Sequence, residues 1–359
     1  MPLSATDSIS PAIQHTKQHL FQPFKFWQWT RLALVGLLAG EMGSSSSGFR
    51  SPSNGIHLPP SGGGTPFPGI EPAAIAAIIA FAIVVGIIFL LVMTYISSVM
   101  RFILFDSILA KQCHIRAGWS RRQGPGLRYF LWQIGFLLAT LAIAVIFIGL
   151  PVGFALVMGW FKAPREHLAP LILGGIAVFL LFVALVIAIA VVHVLTKDFV
   201  VPQMALENIG AIEGWRRLLS MMRAEKGGYA GYVLMKIVLA IAAAIVFGLA
   251  ALIASLVVLI PVVGVVVAVI FAGKAAGMTW NVLTITYAVI VALCLLAGFL
   301  YMIALISVPA IVFFPAYSIY FFASRYPLLN SALNSSAAQP AVIPAQQPPP
   351  LPPLPEMGA

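Results

Sequence analysis

Three polar residues lie inside or at the edge of the apolar segments of this chain and are candidates for intramembrane chemistry. They are His193, Lys236 and Asn281. Ionisable side chains within membrane segments often mark a transport or proton path, but a lysine near a segment end can also extend to the lipid headgroups. We expect Lys236 to reach the headgroups, and His193 and Asn281 to form hydrogen bonds between helices.

Catalytic, cofactor-binding and metal-binding motifs are absent from the sequence. It contains no HExxH, GxSxG or Walker A motif and no paired carboxylates on one helix face. We therefore assign no catalytic residue, no cofactor and no metal ligand. Because no carboxylate falls inside the long apolar runs, the sequence also argues against a proton- or sodium-driven mechanism.

The segment Asp198–Gly228 combines an apolar helix face with basic side chains. Its apolar residues recur every three or four positions and share one face: Leu206, Ile209, Ile212, Trp215, Leu219 and Met222. Glu213 precedes Arg217 by four residues, which allows an ion pair. Such a helix is typical of the headgroup layer, where it recognises anionic lipid, controls a gate or only anchors the next span. The candidate membrane-interface or lipid-contact residues are Trp215, Arg216, Arg217, Arg223 and Lys226.

About half of the chain lies in five runs that contain no Asp, Glu, Lys or Arg. They are Pro72–Met100, Tyr129–Phe161, His167–Thr196, Ile237–Gly273 and Ala275–Ser324. About 20 apolar residues cross a bilayer core of roughly 30 Å as a helix, and backbone groups inside lipid need internal partners. Charged residues make up 8% of the chain, against roughly 25% in soluble domains. The sequence predicts an all-α, polytopic transmembrane helix bundle.

The order of the runs predicts about six spans, which fit three helical hairpins over residues 26–110, 129–207 and 229–325. Phe26–Gly43 is either a short span or a helix that lies flat at the interface. Pro261 and Gly264 interrupt the fourth run. We therefore expect a helix to end within residues 256–264 and a re-entrant or interfacial segment to follow at 265–273.

The distribution of Lys and Arg predicts the orientation. Sixteen of the 20 fall on one side of this arrangement, and such an excess marks the cytoplasmic side. The sequence thus predicts a multi-pass protein of the inner (plasma) membrane with both termini cytoplasmic, and the net charge of +10 needs no nucleic acid partner. The transmembrane domain covers 26–325, with a Ser/Gly/Pro-rich external loop at 44–72 and the amphipathic cytoplasmic loop at 197–228. We expect residues 1–25 to be disordered or interfacial and residues 326–359 to form a Pro-rich disordered tail.

Three short segments resemble an uncharacterised bacterial multi-pass membrane family. They read DFVVPQMALENIGAIEGWRRL, KGGYAGYVLMKIVLAI and PFKFWQWTRLALVGLLAGE. That family is similar to the membrane domain fused to some glycerophosphodiester phosphodiesterases. The resemblance covers residues 20–325 in general layout and implies a polytopic helical protein without established catalytic residues. It does not imply phosphodiesterase activity, since we expect no attached phosphodiesterase domain in this chain.

The leading functional hypothesis is a non-enzymatic integral membrane protein, a scaffold or permeation module for a small or lipidic ligand, with membrane lipids as partners. One alternative is a membrane-embedded enzyme of lipid metabolism. Another is an adaptor that recruits a protein partner through the tail QPPPLPPLPEMGA. A buried His, Asp or Glu cluster around a cavity would favour the enzyme, a continuous polar cavity would favour transport, and a solid bundle would favour the scaffold.

Overall fold

The computed structural model describes residues 3–22, 24–41, 72–161, 165–275, 277 and 281–337, and every regular element within them is a helix. We number these helices α1 (Ile9–Phe21), α2 (Phe26–Leu38), α3 (Pro72–Ala110), α4 (Ile115–Val157), α5 (Leu168–Glu207), α6 (Ala211–Ala224), α7 (Lys226–Ala275), α8 (Val282–Ala323) and α9 (Pro327–Ala337). Each of α4 and α5 contains one π-helical turn, at Val145–Gly149 and Thr196–Val200 respectively. The predicted all-α class is confirmed for this part of the chain.

Five of these helices, α3, α4, α5, α7 and α8, are long and apolar enough to cross a membrane. The sixth expected span coincides with α2, which has 13 residues. At 1.5 Å per residue α2 is about 20 Å long, too short for a bilayer core of roughly 30 Å. The described residues therefore contain five candidate spans. The predicted external loop at 44–72 falls outside them, except for Pro72, the first residue of α3.

The predicted break in the fourth apolar run is wrong. α7 continues through Pro261 over 50 residues, so residues 265–273 belong to this helix and form no re-entrant or interfacial segment. A proline removes one backbone donor, but membrane helices tolerate it because breaking the remaining hydrogen bonds in an apolar medium would cost far more. α7 is about 75 Å long at 1.5 Å per residue, so only part of it fits a bilayer core.

Long apolar stretches of α3, α7 and α8 are exposed on all their faces, whereas α4 contacts α5 at its π-helical turn. Every residue of α8 from Ile285 to Gly298 is exposed, which covers nearly four turns. The same holds for nearly all of α7 beyond Leu256, and for α3 from Ala77 to Met93 except at Gly86. These segments therefore pack on no neighbouring helix in the described part of the chain. In a membrane, lipid or another protein would cover them.

The buried core lies at one end of the same helices. Helices α3, α5 and α8 contribute their C-terminal ends, and α4 and α7 contribute their N-terminal ends. The largest fully buried side chains there include Phe102, Tyr129, Phe199, Tyr232 and Phe321. Aromatic contacts link them, with 4.6 Å between the ring centroids of Tyr232 and Phe321. We call this region the base.

The N-terminal segment is ordered where the sequence allowed disorder. Helix α1 packs on α8 in the base, and His15 hydrogen-bonds the hydroxyl of Tyr320 at 3.2 Å and the carbonyl of Ile108 at 3.0 Å. α2 also packs in the base, against α3 and α8. The disorder expected for residues 1–25 is therefore wrong over α1.

The segment that follows the last span is also partly helical. α9 contacts α3 and α8, and its Leu329 is fully buried. The disorder expected for residues 326–359 is wrong over this helix. Residues 338–359, which include the proline-rich part of the tail, lie outside the described residues.

The helices do not pair as three separate hairpins. α3 packs along α4 more extensively than along any other element, and this contact joins the first two predicted hairpins, residues 26–110 and 129–207. Within each predicted hairpin the helices do contact each other: α2 contacts α3, α4 contacts α5, and α7 contacts α8. The unit of packing is therefore the base to which all five long helices contribute.

His19 of α1 is buried, and neither of its ring nitrogens has a hydrogen-bond partner among the described residues. Burial, with a smaller effect from the charges of His15 and Lys111, lowers the pKa of His19 from 6.5 to about 4. Burial also lowers the pKa of His15. Because the pKa of His19 in the folded state lies below that of the unfolded state, its contribution to stability is present above pH 6.5 and is lost as the pH falls towards about 4.

We predict that α1 undocks from the base as the pH falls from 6.5 towards about 4, because the undocked histidines bind protons more readily. Hydrogen exchange of residues 9–21 measures this. His19→Phe keeps an aromatic ring beside His15 but cannot titrate. At acidic pH the amides of α1 should therefore lose much less hydrogen-exchange protection in this variant than in the wild type. His114→Phe, at an exposed position, is the control and should change nothing. Equal protection of α1 at neutral and acidic pH would contradict the prediction.

Candidate functional site

Five charged side chains meet inside the base, and we call them the charge cluster: Glu41, Arg101, Lys197, Asp198 and Lys236. Lys197 forms an ion pair with Glu41, and Lys236 forms one with Asp198. Glu41 and Asp198 are each only 2% exposed. The hydroxyl of Tyr232 donates a further hydrogen bond of 2.9 Å to the Asp198 carboxylate. The base thus buries two lysine–carboxylate pairs.

Arg101 is the third cation of the cluster and is 6% exposed. Its Nη1 donates to the hydroxyl of Tyr129, and its Nη2 donates to the carbonyl of Ala39 at 3.0 Å. Its Nε–H has no partner among the described residues. Within the same part of the chain, no carboxylate lies within ion-pair distance of Arg101. These five described side chains are three cations and two carboxylates, and Arg101 is the cation among them that has no carboxylate at ion-pair distance.

The helical members of the cluster stand directly beside the apolar runs. Arg101 follows the first run, Lys197 and Asp198 follow the third, and Lys236 precedes the fourth. Lys197 and Asp198 are neighbours in the π-helical turn Thr196–Val200, a type of turn that occurs frequently at functional sites. Both side chains reach the cluster from this one turn.

Ionic pairing keeps the buried Glu41 carboxylate charged. Burial alone would raise the pKa of Glu41, but the positive charges of Lys197 and Arg101 outweigh it and lower the pKa below its ordinary value. A buried ion pair is often no more stabilising than apolar side chains of the same volume. The cluster is therefore better explained by a role in positioning or ligand binding than by stability alone.

A small cavity of about 30 Å³ adjoins the charge cluster. Its lining includes Glu41, Arg101, Lys197, Asp198, Pro202 and Ser318. One water molecule needs about 10–15 Å³ on this scale, so the cavity can hold one or two waters or one small ion, and no organic substrate. In the described part of the chain, no three His, Cys, Asp or Glu side chains are placed to hold a metal ion.

The predicted amphipathic helix is present only from Ala211 onwards, as α6, because the chain leaves the helical conformation at Asn208, which is left-handed. Leu206 and Ile209 therefore do not share a helix face with the later residues, and only part of the remaining apolar face is buried. Trp215 packs against the base, and its Nε1–H donates to the hydroxyl of Thr196 at 3.2 Å. Ile212 is 73% exposed and Leu219 is exposed as well. The residues of α6 that are buried are Ala211, Gly214 and Leu218. The predicted face is therefore divided between the base and the outside of the molecule.

The basic candidates of this helix fall into two groups. Arg216 and Arg217 both pair with Glu213, at 2.7 Å and 3.3 Å, and the second pair is the one that the spacing of four residues predicts. Arg223 and Lys226 are not buried and have no ion-pair partner among the described residues. Contact of these side chains with lipid stays a prediction.

The three intramembrane candidates occupy different settings. Lys236 is 8% exposed and pairs with Asp198, so the expectation that it reaches the headgroups is wrong. The side chain of His193 is exposed and forms no hydrogen bond with another described residue, which overturns the expected interhelical bond. Asn281 caps α8, and its side chain accepts from the backbone N–H of Thr284 at 2.9 Å rather than from another helix.

The sequence analysis missed every member of the cluster except Lys236. A criterion that considers only charged residues inside the apolar runs does not identify the charged residues that border these runs. The argument against buried carboxylates consequently fails, because Asp198 and Glu41 are both buried. The signal that was available is the position of Arg101, Lys197, Asp198 and Lys236 immediately beside the runs.

Comparison with known proteins gives a family but no function. A family of unknown function, DUF7544, matches residues 3–332. The chain belongs to this family. No curated protein and no solved structure matches it. The resemblance to an uncharacterised family is consistent with this assignment, whereas the resemblance to the membrane domain of glycerophosphodiester phosphodiesterases is not supported.

We predict that Lys236→Met strongly destabilises the base, because it leaves the buried Asp198 carboxylate without its cation. Breaking a buried pair in this way costs about 3–5 kcal/mol. The double variant Lys236→Met/Asp198→Asn should recover most of that loss, since the amide oxygen of Asn can still accept from Tyr232. Unfolding of the purified protein in detergent, followed by tryptophan fluorescence, measures these changes.

The control for this pair is Arg216→Met, which removes a side chain that is 75% exposed from its ion pair. Exposed pairs contribute about 0–1 kcal/mol, so this variant should unfold like the wild type. If Lys236→Met were as stable as the wild type, Asp198 would have to be protonated or hydrated in the base, and the ion pair would not be essential.

Proposed function

We propose that this protein is a non-enzymatic, multi-pass scaffold of the inner (plasma) membrane that hosts lipid between its helices. One observation carries the proposal: α3, α7 and α8 leave a packed base and have long apolar stretches that are exposed on all faces, as at Ile285–Gly298 of α8. Helices in lipid have no hydrophobic drive to pack together, since acyl chains are as apolar as their side chains. Acyl chains therefore occupy the space between them.

The structure of the base favours a role as a scaffold over a role as a permeation module. It packs one end of each long helix into a common aromatic core, which fixes the helices relative to one another at that end. The cavity beside the charge cluster has a volume of about 30 Å³, so it offers no path for an organic solute. The ligand that suits this architecture is lipidic and lies outside the base.

The two other functions receive less support. Two buried carboxylates, Glu41 and Asp198, beside a cavity are the feature that favours an enzyme of lipid metabolism. Each of them is paired with a lysine, and the cavity admits no lipid. A protein partner recruited through the Pro-rich tail also stays a proposal, because residues 338–359 lie outside the described residues. We propose no nucleic acid partner.

The distribution of basic residues supports a cytoplasmic base. α1, α6 and α9 all pack there, together with the basic segments that hold most of the 20 Lys and Arg, and positive charge accumulates on the cytoplasmic side of membrane proteins. In this orientation α1 and α9 are cytoplasmic, and the turn around Glu166, between α4 and α5, is outside. Because the described residues contain five candidate spans, a cytoplasmic position of both termini requires one further crossing of the chain before α3.

We predict that a membrane-impermeant maleimide labels Glu166→Cys in intact spheroplasts and labels Arg223→Cys only after the membrane is opened. Both side chains are at the surface, and both variants are made without the native Cys113 and Cys294, so each has a single thiol. The charge asymmetry is the physical reason for the expected result. Labelling of Arg223→Cys in sealed spheroplasts would reverse the orientation.

We further predict that single nitroxide labels placed at successive positions from 285 to 298, in lipid nanodiscs, are all accessible to dissolved oxygen. The accessibility should show no helical period, because lipid surrounds α8 on every side. The control is a scan over residues 310–317, most of which are buried in the base and should be protected. A period of 3.6 residues in the first scan, or dipolar broadening between chains, would mean that a helix or a second copy covers α8 and would refute the lipid-hosting scaffold.

A further inference from the structure

Among the described residues, no carboxylate pairs directly with Arg101, although the charges of Glu41 and Asp198 act on it from a greater distance. Each of these carboxylates forms an ion pair with a lysine, and the hydrogen bonds that Arg101 makes to described residues go to two neutral oxygens, those of Tyr129 and Ala39. A buried charge is costly unless an opposite charge or several hydrogen bonds compensate it. Its remaining donor, the Nε–H, is buried and unpartnered among the described residues.

The cavity beside Arg101 is matched in size to a small counter-ion. Its volume of about 30 Å³ exceeds the 10–15 Å³ that one water needs and is too small for a headgroup with its substituents. Arg101 and Lys197 line it on the cationic side. Glu41 and Asp198 line it too, but the lysine paired with each carboxylate offsets its repulsion of an anion.

We propose that this cavity is a binding site for one small inorganic anion, of the size of chloride, with Arg101 as its principal ligand. An anion in the cavity would lie beside the Arg101 side chain and would bring the formal charge of the cluster, counted over its five described side chains, from one positive charge to zero. A water molecule could occupy the same cavity but would leave that charge unbalanced. The site rests on the charge cluster alone and does not depend on the proposed lipid function.

The test uses the purified full chain in detergent, with gluconate exchanged for chloride at constant ionic strength and pH. Chloride should raise the unfolding temperature, measured by tryptophan fluorescence, in a saturable manner. Bromide should act likewise, whereas sulfate and phosphate should not. Broadening of the ³⁵Cl resonance by the protein, reversed by bromide, should report the same binding directly.

Three variants locate the ion. Arg101→Gln should abolish the chloride response. Ser318→Val narrows the cavity at a buried position without a change in charge, and should weaken the apparent affinity at least about tenfold, a difference of about 1.4 kcal/mol. Arg122→Gln is the control, because Arg122 is a buried arginine whose charge is balanced by Asp106 through two hydrogen bonds of 2.6 Å; it should keep the response.

Several results would overturn the proposal. Equal unfolding temperatures of the wild type in chloride and gluconate, without broadening of the ³⁵Cl resonance, would mean that the cavity holds water. An unchanged chloride response in Arg101→Gln would place the anion elsewhere; if this variant does not fold, an unchanged response in Ser318→Val would also place it elsewhere. Phosphate as effective as chloride would indicate a larger oxyanion site and refute a chloride-sized one.

Discussion

The cost of removing a charge from water determines this structure. That cost keeps Asp, Glu, Lys and Arg out of the long apolar runs and collects them where the helices end. Arg101, Asp198 and Lys236 come from three different helices, yet each stands at the boundary of a run. When the helix ends pack together, these charges become neighbours and lose water. The opposite charges then have to pair, and the geometry of the base follows from the pairs that they form.

The same physics explains why the base is compact and the remaining helix lengths are not. At the base, burial of aromatic side chains such as Phe199, Tyr232 and Phe321 removes apolar surface from water, which is strongly favourable. Within lipid, contact between two helices only replaces contact with acyl chains, so the drive to pack is weak. An apolar helix such as α8 can therefore be exposed along Ile285–Gly298 and be stable in a membrane.

Composition predicted the class of fold because long uncharged runs leave helices as the only satisfied backbone in lipid. Rules based on the local sequence, such as the effect of proline on a helix, predicted helix ends and disordered segments less well. Pro261 was expected to end a helix, but in an apolar medium the surrounding hydrogen bonds outweigh the one that is lost. α1 is short and polar, and its tertiary contacts, chiefly with α8 and also with Ile108 of α3, hold it in the base. The charge cluster joins residues as distant in sequence as Glu41 and Lys236, and such pairing depends on tertiary packing that periodicity in a single segment does not contain.

The position of the charge cluster connects the two proposals. Arg101 belongs to α3 and Lys197 to α5, and both line the cavity. Lys197 is already paired with Glu41, so an anion in the cavity would act mainly on the charge of Arg101 and would hold the end of α3 against the end of α5. Because α3 is exposed on nearly all faces from Ala77 to Met93, a small change in its angle at the base becomes a larger change in position further along, where the proposed lipid lies. Occupation of the anion site would in this way set the width of the space that lipid fills.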